Sequence, residues 1–234
     1  MKEHPIINGY EIAGRMPLFK PEMRQANRDG KKTQTRRVIT RRNSLLNGGT
    51  WPTRMADEDF DWKNAWVDKG PSPAGNPGPY LKLPYLPDGT IHRVYPVIAV
   101  GDIRVMCEPL KKVNMGSIDG AIYADDEKLV VTPNLGYLLW HWKKDYLTSI
   151  HMPYEAARSL FRITNIRVQR VQDISEGDAI AEGVDAVSMA DVPRQDTWSR
   201  RQDFAQLWDS INAKRGYGWD VNPWVWVVSF KMVA

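Results

Sequence analysis

The chain has 234 residues, a formal net charge of +4, and 42% hydrophobic and 26% charged residues, ordinary proportions for a soluble globular domain with one well-buried core. No apolar run is long enough to span a bilayer and the first residues lack a signal-peptide core, so no membrane association and a cytoplasmic location are expected. Cys107 is the only cysteine, which excludes an intrachain disulfide and a thiolate metal cluster.

In chain order, residues 16–19 form a short apolar run that reads as a strand. Pro21 then suits the first turn of a helix, and Met23, Ala26 and Asn27 share one face before Gly30 supplies a stop. Directly after that stop comes the turn Gly30-Lys31-Lys32-Thr33-Gln34-Thr35-Arg36-Arg37. Residues 20–42 hold nine lysines and arginines against Glu22 and Asp29, a local surplus of +7 in a chain that carries +4 overall. Such a concentration attracts phosphate-bearing partners, and the interleaved threonines add hydroxyl groups to the clustered cations.

Residues 43–89 show no sustained periodicity and include a Pro/Gly-rich stretch at 71–79, so a long irregular insertion is expected. Residues 94–100 and 103–107 read as strands joined across Gly101-Asp102, and 121–131 as a hairpin turning at Asp125-Asp126. A short helix from Pro153 leads into a strand over 161–171, whose apolar alternation changes parity near Thr164-Asn165, as a β-bulge would produce. Ser175-Glu176-Gly177-Asp178 fits a capping box for a helix ending at Gly183. Phe204, Leu207, Trp208 and Ile211 recur at helical spacing within 199–213, and 224–232 is apolar on both faces, as in a central strand. Strands outnumber helices without alternating regularly with them, which points to α+β around a mixed or barrel-like sheet. Among ten tryptophans, Trp208, Trp224 and Trp226 fit packing positions, whereas Trp51, Trp62, Trp66, Trp140 and Trp142 lie in polar or irregular segments and are freer to act as stacking platforms.

Several motifs are missing. The Gly30-Lys31 pair lacks the earlier glycine and the following hydroxyl of a phosphate-binding loop. The four histidines show no ligand spacing, and no nucleophile elbow occurs, so no metal and no cofactor are expected.

Taken in order, Met16-Pro17-Leu18-Phe19, the Lys-Thr-x-Thr-Arg-Arg turn, Gly101-Asp102-Ile103-Arg104-Val105 with Glu108, His151-Met152-Pro153 with Ala157-Arg158, Gln172-Asp173-Ile174-Ser175 through Glu182-Gly183, Phe204 to Ile211 and Asn222-Pro223-Trp224-Val225-Trp226 resemble the ASCH family, in particular its larger phage and prophage members. The resemblance implies a PUA-like mixed β-barrel with flanking helices, forming one domain over residues 1–234 with the insertion at about 43–89. It also implies an RNA-binding or otherwise nucleic-acid-associated protein, in the host cytoplasm if phage-encoded. Lys31, Lys32, Thr33, Thr35, Arg36 and Arg37 are then the expected contacts to phosphate or a base edge, with Arg162 and Arg167 extending the surface.

Some small members of that family are amidohydrolases acting on N-acylated cytidine nucleosides, through a lysine, a threonine and a glutamate. The resemblance gives Lys32 and Thr35 the first two roles. The glutamate position falls on Arg162, and Glu108 is the carboxylate that would take its place. A desolvated lysine that activates a threonine hydroxyl, with a carboxylate to orient it, is sound chemistry for attack on an amide. A ribonuclease using the same residues, and a phage assembly or host-interaction protein using the tryptophan-rich insertion to bind a protein partner, are the alternatives.

Overall fold

The computed structural model describes residues 4–70, 78–132, 135–186 and 199–234; part of the Pro/Gly-rich stretch, 71–77, lies outside them. Among the described residues, three α-helices, α1 (Pro21–Arg28), α2 (Glu176–Ala181) and α3 (Arg200–Asn212), stand among many short strands. The strands are β1 (Ile6–Ile7), β2 (Tyr10–Glu11), β3 (Gly14–Arg15), β4 (Gln34–Val38), β5 (Ser44–Leu46), β6 (Trp66–Asp68), β7 (Tyr80–Pro84) and β8 (Ile91–Pro96). After these come β9 (Ile103–Val105), β10 (Leu110–Asn114), β11 (Asp119–Tyr123), β12 (Tyr146–Leu147), β13 (Leu160–Arg170) and β14 (Trp224–Met232). The class is α+β, with the strands in several open sheets. Among the described residues, no helix is long and apolar enough to cross a membrane.

The chain divides into two compact units. The first comprises Met1–Lys31, Gly101–Ile163 and Phe230–Ala234; the second comprises Lys32–Val100 and Thr164–Ser229. Strands β13 and β14 each contribute residues to both.

In the first unit, β3 pairs in parallel with β9, and β9 pairs antiparallel with the first residues of β13. A three-stranded antiparallel sheet with β10 in the middle, β11-β10-β12, packs Leu110, Ala121, Tyr123 and Leu147 into a core with Val105, Met152 and Leu160. Helix α1 carries Pro21 at its start and buries Met23, Ala26 and Asn27, as the spacing requires. The segment at 16–19 is not a strand; the strand lies just before it, at Gly14–Arg15.

In the second unit, β4 pairs antiparallel with β14, and a separate four-stranded antiparallel sheet has the order β5-β8-β7-β6. Three of its strands come from residues 43–89, so the stretch expected to be irregular contributes strands to an ordered sheet, with irregular segments between them. Its strands are short and interrupted by turns, which hides a period of two. Leu46, Leu81, Leu83 and Val94 are buried on one face of this sheet, beside an aromatic cluster of Trp51, Phe60, Trp62 and Tyr85. Arg170 ties the insertion down within the unit, donating to the carbonyls of Trp62 and Lys63 and lying over the Trp224 ring at 4.2 Å.

Strand β13 runs through Thr164 and Asn165, both exposed, while Ile163 and Ile166 are buried, so the apolar face changes parity where the sequence does. Ser175 caps α2 by accepting from the Asp178 amide at 3.1 Å. Ser199 and Gln202 form the reciprocal box on α3.

Candidate functional site

Helix α2 brings two carboxylates onto the polar face of β4, and a network of buried ions results in the second unit. Lys32 is 3% exposed. Its Nζ donates to the Gln34 carbonyl at 2.8 Å, the Glu182 carbonyl at 2.7 Å and Glu182 Oε2 at 2.9 Å, which uses all three ammonium protons. Arg36 donates through Nη1 to Glu182 Oε1 at 3.0 Å and Gln34 Oε1 at 2.8 Å, and through Nη2 to Asp178 Oδ2 at 2.8 Å. Arg167, on β13, reaches both Asp178 oxygens at 3.0 and 2.9 Å. Gln34 Nε2 donates to Asp178 Oδ1 at 3.1 Å.

Local geometry sets each partner. Asp178 is the third residue of the capped helix, and Glu182 closes the same helix. Gly183 follows with φ at +82°, and a Cβ there would meet the Lys32 Cβ at 3.0 Å. A glycine is thus required both by the backbone and by the close approach of Lys32.

Burial pushes the Lys32 ammonium down from its usual range; Glu182 opposes that shift, and Arg37 and Arg36 reinforce it. The Arg37 guanidinium is likewise lowered by burial, with Glu182 again opposing. Among the described residues, this hydrogen-bonded set joins three cations (Lys32, Arg36, Arg167) to two carboxylates (Asp178, Glu182). The Nε atoms of Arg36 and Arg167 are buried without a hydrogen-bond partner, while the Arg167 side chain is 38% exposed. Two N–H groups of the site thus lack acceptors among the described residues, and one of its cations is open to solvent. Among the described residues, no group of histidine, cysteine and carboxylate side chains could hold a metal ion.

The other expected site residues are placed as follows. Thr33 is exposed. Thr35 pairs with Val228 and Arg37 with Trp226; because side chains alternate along a strand, both occupy the sheet face opposite Gln34 and Arg36. Lys31 is exposed in the first unit, 3.9 Å from Asp29, and Arg162 is half-buried there, opposite Ile103. Glu108, also in the first unit, is fully buried. It accepts from Arg28 at 2.5 Å and from Arg158 at 2.9 and 2.7 Å. Arg158 also bonds Asp126 and stacks over the Tyr123 ring at 3.6 Å. The carboxylate within reach of Lys32 is Glu182, where the sequence pointed to Glu108.

Ion pairing changes the meaning of the basic turn. Of the nine cations between residues 20 and 42, at least six are paired with carboxylates among the described residues: Arg24 with Asp125, Arg28 with Glu108, Lys31 with Asp29, Lys32 with Glu182, Arg36 with Asp178 and Arg41 with Asp57. Most of the local surplus is internal cement rather than exposed field. Glu182 and Asp178, which the sequence reading did not include among the site residues, had one available signal: they fall on one turn of a capped helix that ends at a glycine.

Comparison with protein-family models, curated proteins and solved structures returns no match.

Proposed function

We propose that the second unit binds a phosphate-bearing nucleic-acid ligand, RNA or a nucleotide, at the ion network around Lys32, with Arg167 as its exposed contact. The observation that carries this reading is the acceptor deficit. Two buried guanidinium N–H groups of the network, the Nε–H of Arg36 and of Arg167, have no partner among the described residues. At the exposed Arg167, a phosphate or the carbonyl edge of a base supplies an acceptor and negative charge. Lys32 and Arg36 would hold the network in shape rather than touch the ligand, since their charged heads are enclosed. On this reading the strands around β4 and β14 belong to the PUA-like barrel of the ASCH family.

Fluorescence anisotropy with labelled single-stranded RNA, single-stranded DNA and duplex tests the proposal. Arg167→Ala is expected to weaken binding about tenfold or more, the loss typical of a charge-assisted hydrogen bond. Absence of binding by the wild-type chain at low salt would overturn it.

A second reading, hydrolysis of the amide of an N-acylated cytidine nucleoside, is favoured by the Glu182 carboxylate 2.9 Å from Lys32 Nζ. It ranks second because Thr35 lies on the opposite sheet face and the Lys32 protons are fully committed. Release of acetate from N-acetylcytidine, lost in Glu182→Gln, would reverse that ranking.

A further inference from the structure

The four-stranded sheet of the second unit has one face in the core and one that is only half covered. Its register sets Trp66 opposite Lys82, and Lys82 opposite Arg93. Directly paired residues project from the same face, so these three side chains form a straight row across β6, β7 and β8. Two strand spacings, about 10 Å, separate the ends of that row. Trp66 on the edge strand is 41% exposed and Ile91, beside the row, 40%. Next to the row on its other side, Tyr80 and Tyr95 are buried with their rings 5.1 Å apart. The Lys82 ammonium lies 5.9 Å from the Trp66 ring centre and pairs with Asp68 at 2.8 Å.

Arg93 is the unexplained member. Among the described residues its guanidinium makes no hydrogen bond or ion pair, and its Nε is buried without an acceptor. Its positive charge opposes that of Lys82, so the sheet holds two like charges side by side, with Asp68 paired to Lys82.

We propose that the row Trp66–Lys82–Arg93 is a binding site for single-stranded nucleic acid, with a base stacked on Trp66 and the backbone phosphates over Lys82 and Arg93. An exposed indole beside two cations matches the alternation of ring and phosphate along a single strand, and a four-stranded sheet is a platform that such strands use. A duplex keeps its ring faces stacked and offers none to the indole. The uncompensated charge of Arg93 argues against a purely apolar protein partner. This site goes beyond the Lys32 network and shares no residue with it.

The test compares a labelled single-stranded 12-mer with an abasic 12-mer of equal charge, by anisotropy. The wild type is expected to bind the base-bearing strand about tenfold more tightly than the abasic one. Trp66→Ala removes that preference and leaves abasic binding unchanged, whereas Trp66→Phe keeps it. Arg93→Ala weakens both strands. Arg167→Ala, in the Lys32 network, weakens binding but keeps the preference for bases, which separates the two sites. Equal binding of the two strands by the wild type, or a preference that survives Trp66→Ala, would overturn the proposal.

Discussion

Lys32 and Glu182 lie 150 positions apart in the chain, yet Lys32 Nζ donates to both the side chain and the backbone carbonyl of Glu182, at 2.9 and 2.7 Å. The contact joins the start of β4 to the end of α2, and the same carboxylate also receives Arg36. One glutamate thus holds two buried cations in place, and the open end of the network at Arg167 depends on that arrangement.

Removing one charge from this set strands the others. Glu182→Gln is expected to destabilise the protein by about 3–5 kcal/mol, the cost of leaving a buried ion without its partner. Urea unfolding with a shared slope measures it. A loss under 1 kcal/mol would mean that the buried pair contributes little.

Gly183 is a second constraint on the same contact. Gly183→Ala places a side chain on a left-handed backbone and 3.0 Å from the Lys32 Cβ, and a loss of about 1–3 kcal/mol is expected. Gly101, also at positive φ but with open space around it, serves as the comparison, since its alanine variant carries the backbone strain alone. The Gly183 variant should be the more destabilised of the two.

In the first unit, Glu108 is enclosed by Arg28 and Arg158. Glu108→Gln leaves two guanidinium groups facing a neutral amide, and a loss of about 3–5 kcal/mol is expected there too. Nucleic-acid affinity at the Lys32 network should stay within about twofold of wild type. A selective loss of affinity with unchanged stability would give Glu108 a functional role instead.

His92 gives a pH dependence. Burial among Phe60 and Tyr85 lowers its pKa, Asp88 opposes the shift, and Nδ1 lies 2.8 Å from Asn47 Nδ2. The folded state therefore binds fewer protons than the unfolded state below about pH 6.5. Stability from the neutral ring is complete above that pH and is lost as the pH falls through the folded pKa. Urea midpoints measured from pH 7.5 to 5 should decline less steeply in His92→Gln than in wild type; parallel declines would contradict the assignment.

Much of the fold was legible where local chemistry decides it. Pro21 and the Met23–Ala26–Asn27 face mark α1, Ser175 and Ser199 mark the starts of α2 and α3, and the two-sided apolar run at 224–232 marks β14. The Thr164-Asn165 parity change also matches the observed burial. The strands at 44–46, 66–68 and 80–84 were not legible, because runs of three to five residues between turns carry too little periodicity. The site was half legible. The sequence placed Lys32, Arg36 and Arg167 in it, but a local charge sum cannot register acids that arrive from 80 to 150 positions away. Glu182, Asp178 and Asp125 therefore went unread as partners, and a turn that looked like an exposed basic patch is largely paired.

Heteronuclear NMR of the arginine Nε–H groups during titration with single-stranded RNA tests the central reading most directly. If the network takes up an acceptor-rich ligand, the Arg167 Nε–H resonance should shift progressively downfield and saturate with the same affinity that anisotropy gives. Resonances that stay in place while the RNA saturates elsewhere would show that the network is purely structural.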